Sequence, residues 1–456
     1  MKNNDFLGRE PVGRLLARLA LPTIAAQLIN MLYNIVDRIY IGHMPGEGSL
    51  ALTGVGICMP LIMIVSAFAA LIASGGAPRA SIAMGRGDHG EAERIMGGCF
   101  TLQLVVSAAL TALLLLFSRP LLLAFGASEH TIAYAADYMS IYALGTLFVQ
   151  LTLGMNAYIT AQGFARTGML TVLIGAALNI ALDPLFIFVL DLGVRGAALA
   201  TILSQGISCA WVISFLCSRR SLIRIRREHL RIRTKVVLPC IALGLAPFIM
   251  QSSESVISVC FNSSLLRYGG DVAVGAMTIL TSVMQFAMMP LSGLAQGAQP
   301  ITSYNYGAGN TARVKRTFRL LLTVSLAYSC LLWLLIQLFP QAFAALFTPD
   351  PQLLAFTGGA LRVYCAMLFL FGIQIACQMT FVAIGYAKSS IIVAVMRKFV
   401  LLLPLIFLMP TLMEDKTMAV YTAEPVADFL AVVFTALLFA RQFRKVIAGM
   451  EQRESA

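Results

Sequence analysis

The chain has 456 residues, 59% of them hydrophobic and only 12% charged, a mixture that excludes a water-soluble globule of ordinary surface composition. Its formal charge of +12 would suit nucleic acid or an anionic membrane surface. The hydrophobic excess decides for the membrane, and no nucleic-acid partner is expected.

Apolar runs long enough to cross a hydrocarbon core, about 20 residues each, occupy 16–41, 51–76, 95–117, 132–160, 167–190 and 196–217. A second set follows at 238–266, 274–301, 317–339, 357–385, 389–412 and 418–440. They predict an all-α integral membrane protein of twelve transmembrane helices, because helices satisfy their own backbone in lipid and isolated strands do not. The first run is read as a retained span, since it is long, polar in places and ends without a small-residue cleavage pattern.

Span 1 carries Gln27, Asn30, Asn34 and Asp37 at spacings of 3, 4 and 3, which reads as one polar stripe. A carboxylate within the bilayer costs about 2.5–3.5 kcal/mol on insertion scales, so it is expected to face a cavity or partner and to serve an ion path. The plainer alternative pairs Asp37 with Arg38 or with interfacial water. Span 5 places Asn179 and Asp183 on one face, and Pro184 removes a backbone donor beside them; a helix-end cap is the alternative there.

The second half repeats the theme. Span 7 offers Gln251, Glu254, Ser255, Ser258 and Asn262 on one face. Span 8 offers Gln285 with Met277, Met284, Met288 and Met289, whose thioethers could form an adaptable wall. Span 10 has only Gln374 and Gln378 as strong polar groups, and span 12 opens with Glu424 and Asp428 flanking Pro425, placed in the first turn. Acids facing an apolar cleft suit organic cations, with help from rings such as Tyr33 or Phe248.

A cytoplasmic N-terminus puts 27 of the 33 basic residues on one side, from Lys2 onward. Eight fall in the stretch 218–235, and Lys388, Arg397 and Lys398 are counted in the 10–11 region. The positive-inside rule then makes both termini cytoplasmic. The nine cysteines, spaced singly, read as buried small hydrophobes. The four histidines fall in separate loops and suggest no metal site. No nucleotide-binding or catalytic motif is present, so an enzyme is not expected and transport energy must come from an ion gradient or a partner.

At an offset of 222 residues, Gly75-Gly-Ala-Pro78 aligns with Gly297-Ala-Gln-Pro300, and Ala161-Gln-Gly-Phe-Ala165 with Ala383-Ile-Gly-Tyr-Ala387. A duplicated six-span unit predicts two pseudo-symmetric lobes around a central cleft. The expected boundaries are an N-lobe at 1–218, a basic linker at 219–237, a C-lobe at 238–445 and a cytoplasmic tail at 446–456.

Ala20-Leu-Pro22, Tyr33-Asn-Ile-Val-Asp37 with Ile41-Gly42, the Gly75-Gly-Ala-Pro78 stretch with Gly85-Arg-Gly87, and Leu178 to Pro184 (LNIALDP) together resemble the multidrug and toxic compound extrusion (MATE) family, notably its MepA-like branch. The resemblance implies an N-lobe site for the coupling ion, proton or sodium, made of Asp37, Asn156, Asn179, Asp183 and Thr201, with no other metal and no cofactor. Asn34, Gln251, Glu254, Gln285, Met288 and Asp428 are the candidates for substrate binding or second-lobe coupling. The aspartate that sodium-coupled relatives place in span 10 has no counterpart here. The implied activity is antiport of hydrophobic, mostly cationic small organic compounds by a functional monomer in a bacterial plasma (inner) membrane, in contact with lipid. A flippase for lipid-linked oligosaccharides is the rival within transport, and a receptor or scaffold glued by polar stripes is the rival outside it.

Overall fold

The structure is a computed structural model, and it describes residues 6–45 and 48–454. Lys2 and the last two residues of the tail lie outside them. The described residues form helices and turns, with no strand among them.

Six spans build the first lobe: α1 Val12–Gly42, α2 Gly48–Gly85, α3 His89–Ala124, α4 Ile132–Ala161, α5 Ala165–Val189 and α6 Gly193–Cys217. The helical stretch Thr234–Gly307 has 74 residues, too many for a single bilayer crossing at about 1.5 Å per residue. Gly270, at φ 65° and ψ −160°, breaks it into α7 (234–269) and α8 (271–307). Then come α9 Thr311–Leu338, α10 from Pro351–Tyr364 and Leu368–Ala383 with a 45° bend between them, α11 Ala387–Leu412 and α12 Lys416–Glu454. Among the described residues this makes twelve spans in two six-helix lobes.

The duplication is written into the turns. Gly87 and Gly309 adopt φ of 81° and 74°, and Gly163 and Gly385 adopt 87° and 81°; the members of each pair stand 222 residues apart. After the first pair, Asp88 caps α3 by accepting from the Glu91 amide at 2.8 Å, and Asn310 caps α9 by accepting from the Arg313 amide at 3.2 Å. Glycine leaving one helix and a short polar cap opening the next is the sequence solution to a tight connection.

At one end of the bundle the lobes lock together. Leu15, Leu16 and Leu19 of α1 share an apolar cluster with Leu294, Ala298 and Ile301 of α8. A methyl group built on Gly75 of α2 would sit 1.8 Å from the Cys240 carbonyl oxygen of α7, and one on Gly244 would sit 1.7 Å from that of Leu71. Backbone meets backbone there, and only glycine permits it. The described residues nearest each terminus lie at this end: Arg313 bonds the carbonyls of Leu7 and Glu10, and Lys315 pairs with Glu451.

The basic linker is docked on the N-lobe. Buried Gln162 accepts through Oε1 from Ser221 Oγ and from the amides of Leu222 and Ile223, at 3.0, 2.7 and 3.3 Å. Glu93, also buried, accepts from the Arg224 amide and pairs with Arg226 at 2.9 Å. Thr101 then holds the Leu230 carbonyl.

Three expectations need correction. Arg397 and Lys398 do not lie in a loop; they sit in a π-helical stretch, Met396–Leu402, inside α11, and are 6% and 3% exposed. Helix α12 begins at Lys416, eight residues before Glu424, so Pro425 lies within the helix and not in its first turn. Cys217 and Cys330 are exposed.

Candidate coupling site and cleft

Contacts at the locked end set the rotation of the two cleft-lining helices. Thr23 Oγ1 donates to the Gly293 carbonyl at 2.6 Å, and Ala20 and Ile24 lie against Gly297 and Gly293. That face of α1 continues through Gln27 and Asn34 toward the C-lobe. Asn30, Tyr33 and Asp37 project about 60–100° further round, toward α5 and α6. The single stripe expected on α1 is therefore two adjoining faces. Asn34 turns its amide back onto the Asn30 carbonyl at 2.6 Å.

On the N-lobe face, the carboxyls of Asp37 and Asp183 meet within hydrogen-bond reach. Asp183 is fully buried and Asp37 half-buried. Asn179 Nδ2 donates to Asp183 Oδ1 at 3.3 Å and to Thr201 Oγ1 at 3.4 Å, and Tyr33 lines the cavity beside them. Three oxygens in this group are buried without a donor: Asp37 Oδ1, Asp183 Oδ2 and Asn179 Oδ1. Two carboxylates cannot both hold full charge in such a place, and hard oxygens of this kind suit a proton or a sodium ion. A cavity of about 40 Å³ lined by Asn30, Tyr33, Thr171, Asn179, Thr201 and Ser204 adjoins it, roomy enough for water.

Asn156 does not join this group by hydrogen bonding. Its Nδ2 donates to the Gly168 carbonyl at 3.2 Å, which ties α4 to α5 one level nearer the locked end.

In the C-lobe, Gly244 and Phe248 touch the N-lobe, the latter ring to ring with Phe68 at 5.2 Å. Their face of α7 continues through Gln251, Ser255 and Ser258 into the space between the lobes. Glu254 flanks it and is 57% exposed; its Oε1 accepts from Lys398 Nζ at 2.6 Å, and the lysine side chain is 4% exposed. Behind this pair, Arg397 binds Asp428 at 2.8 Å and Glu424 at 3.3 Å, and its guanidinium lies 4.7 Å from the Phe371 ring centroid. Asp428 thus faces a guanidinium, buried at 5% exposure. Gln285 is exposed on α8, and Met288 packs against the C-lobe core.

Reading basic residues as loop markers hid Arg397 and Lys398. Their place eight or nine residues into a predicted span, with three acids on neighbouring spans and no other counter-ion, was the available signal.

The sequence profile described as MatE matches residues 22–185 and 246–408. The chain is 25% identical over 414 residues to the multidrug export protein MepA of Staphylococcus haemolyticus, covering 90% of each chain. It is 26% identical over 419 residues to a FAD transporter of Shewanella oneidensis, covering 89% of this chain and 90% of that one. In fold it superimposes on a crystal structure of MATE in the bent conformation with a TM-score of 0.92 and 22% identity over the whole of both chains.

Proposed function

Because the chain belongs to the MatE family of multidrug efflux transporters, we propose that it is a secondary antiporter that exports hydrophobic organic cations in exchange for protons or sodium ions. The observation that carries this reading is the Asp37–Asp183 pair, whose buried oxygens lack a donor and which a proton or sodium ion would complete. Loading that pair alters how α1 meets α5 and α6, and α1 also lines the cleft. Any difference in ion affinity between two arrangements of α1 is then, by linkage, a difference in substrate affinity.

The lobes are locked at the end that bears both termini. With those termini in the cytoplasm, as the basic loops suggest, the cleft opens outward, ready to release substrate and take up an ion. In this reading Asp37, Asp183, Asn179 and Thr201 hold the ion, and Asn156 acts by fixing α4 to α5. A flippase is the weaker reading: Arg397 and Lys398, the buried cations of the C-lobe wall, are spent on carboxylates and are not available to a phosphate.

The test is ethidium transport in everted vesicles or proteoliposomes, with proton and sodium gradients imposed separately, for wild type and Asp37→Asn. Wild-type flux that follows one gradient, and that vanishes in the variant at normal membrane insertion, supports the reading and names the ion. Normal ion-driven flux in Asp37→Asn defeats it.

A further inference from the structure

The charged cluster of the C-lobe lies in the other lobe from the Asp37–Asp183 pair, yet it is built on equivalent helices: α7, α11 and α12 stand in the second repeat where α1, α5 and α6 stand in the first. Its members are Glu254, Glu424, Asp428, Arg397 and Lys398, three carboxylates and two cations, with one negative charge in excess. Arg397 is enclosed by Asp428, Glu424 and the Phe371 ring. Lys398 differs, because the one carboxylate within its ion-pair reach, Glu254, is the member that opens onto the inter-lobe space. An exposed acid is thus held from behind by a buried ammonium.

With Glu254 already a substrate candidate of the export reading, we propose that Lys398 is a tethered competitor for it, which a monovalent organic cation arriving from the cleft must displace. This rests on the export reading and narrows its substrate class. A cation arriving from the cleft meets a carboxylate whose second oxygen is open. As it takes the full charge of Glu254, the ammonium of Lys398 is left to the field of the carboxylates that its neighbour Arg397 binds, Glu424 and Asp428. One arriving positive charge matches the formal excess of one carboxylate over the two cations. A dication would overfill it, and a neutral amphiphile has nothing with which to dislodge the lysine. Lys398 thereby sets both affinity and charge selectivity, holding binding weak enough for release.

The experiment is equilibrium binding of tetraphenylphosphonium to the purified full chain in nanodiscs without any gradient. Lys398→Met and Lys398→Gln are expected to tighten binding about tenfold, Lys398→Arg to leave it unchanged or weaker, and Glu254→Gln to weaken it about tenfold whether or not Lys398 is also replaced. Neutralised Lys398 variants that fold and bind no more tightly than wild type overturn the competition. If they fail to fold, Lys398→Arg binding more tightly than wild type overturns it as well. A wild type that binds no tetraphenylphosphonium defeats the cation-export reading itself, a result distinct from wild-type binding that Lys398 does not govern.

Discussion

Asp37 and Asp183 stand 146 positions apart in the chain, and their carboxyls face each other with one buried oxygen apiece that no donor reaches. Asp183→Asn supplies a donor and removes a charge. It is expected to raise stability by about 1 kcal/mol, seen as a higher thermal midpoint in detergent, while abolishing ion-driven export. A lower midpoint would show that the pair already shares a proton.

Arg397 is the opposite case, a buried cation on which two buried acids depend. Arg397→Met is expected to cost about 3–5 kcal/mol by stranding Glu424 and Asp428. Adding Glu424→Gln and Asp428→Asn to the same chain should recover most of the loss in a thermal or denaturant titration. Failure to recover would place the role of Arg397 in packing on Phe371.

The locked end depends on backbone approach at Gly244. Gly244→Val drives a branched side chain into the Leu71 carbonyl and is expected to hold the lobes apart there. Spin labels at the exposed positions 89 and 316 should report a longer distance, and export should fall steeply with insertion unchanged. An unaltered distance would mean that α7 can rotate to absorb the side chain.

Much of this was legible in the sequence and some was not. The spans declared themselves by length and apolarity, and the repeat by glycines whose positive φ no other residue type takes up cheaply. Asn179 and Asp183 were visible because an i, i+4 spacing is local. The rotation of α1, which separates Asn34 from Asp37, depends on where Ala20 and Ile24 touch Gly293 and Gly297, a contact nearly 270 residues away in the chain. The pairing of Lys398 with Glu254 is equally non-local, and each residue taken alone has a plainer explanation: a loop marker and a free acid.

Gln162 makes a prediction about the linker. Its side-chain oxygen alone gathers three donors from residues 221–223, so Gln162→Ala is expected to loosen them and to speed tryptic cleavage among Arg224, Arg226 and Arg227 about tenfold. Cleavage at the wild-type rate would show that Glu93 suffices to hold the segment.

That docking also sets a mechanical limit. The linker is fastened to the N-lobe as far as Leu230, and α7 begins at Thr234, which leaves residues 231–233 as the only slack between the two halves of the molecule. Three residues reach about 10 Å when fully drawn out. The chain therefore carries its own leash: whatever motion turns the cleft to face the other way must pivot within that length at the end bearing the termini, and a longer excursion would first have to peel the linker from Thr101, Glu93 and Gln162.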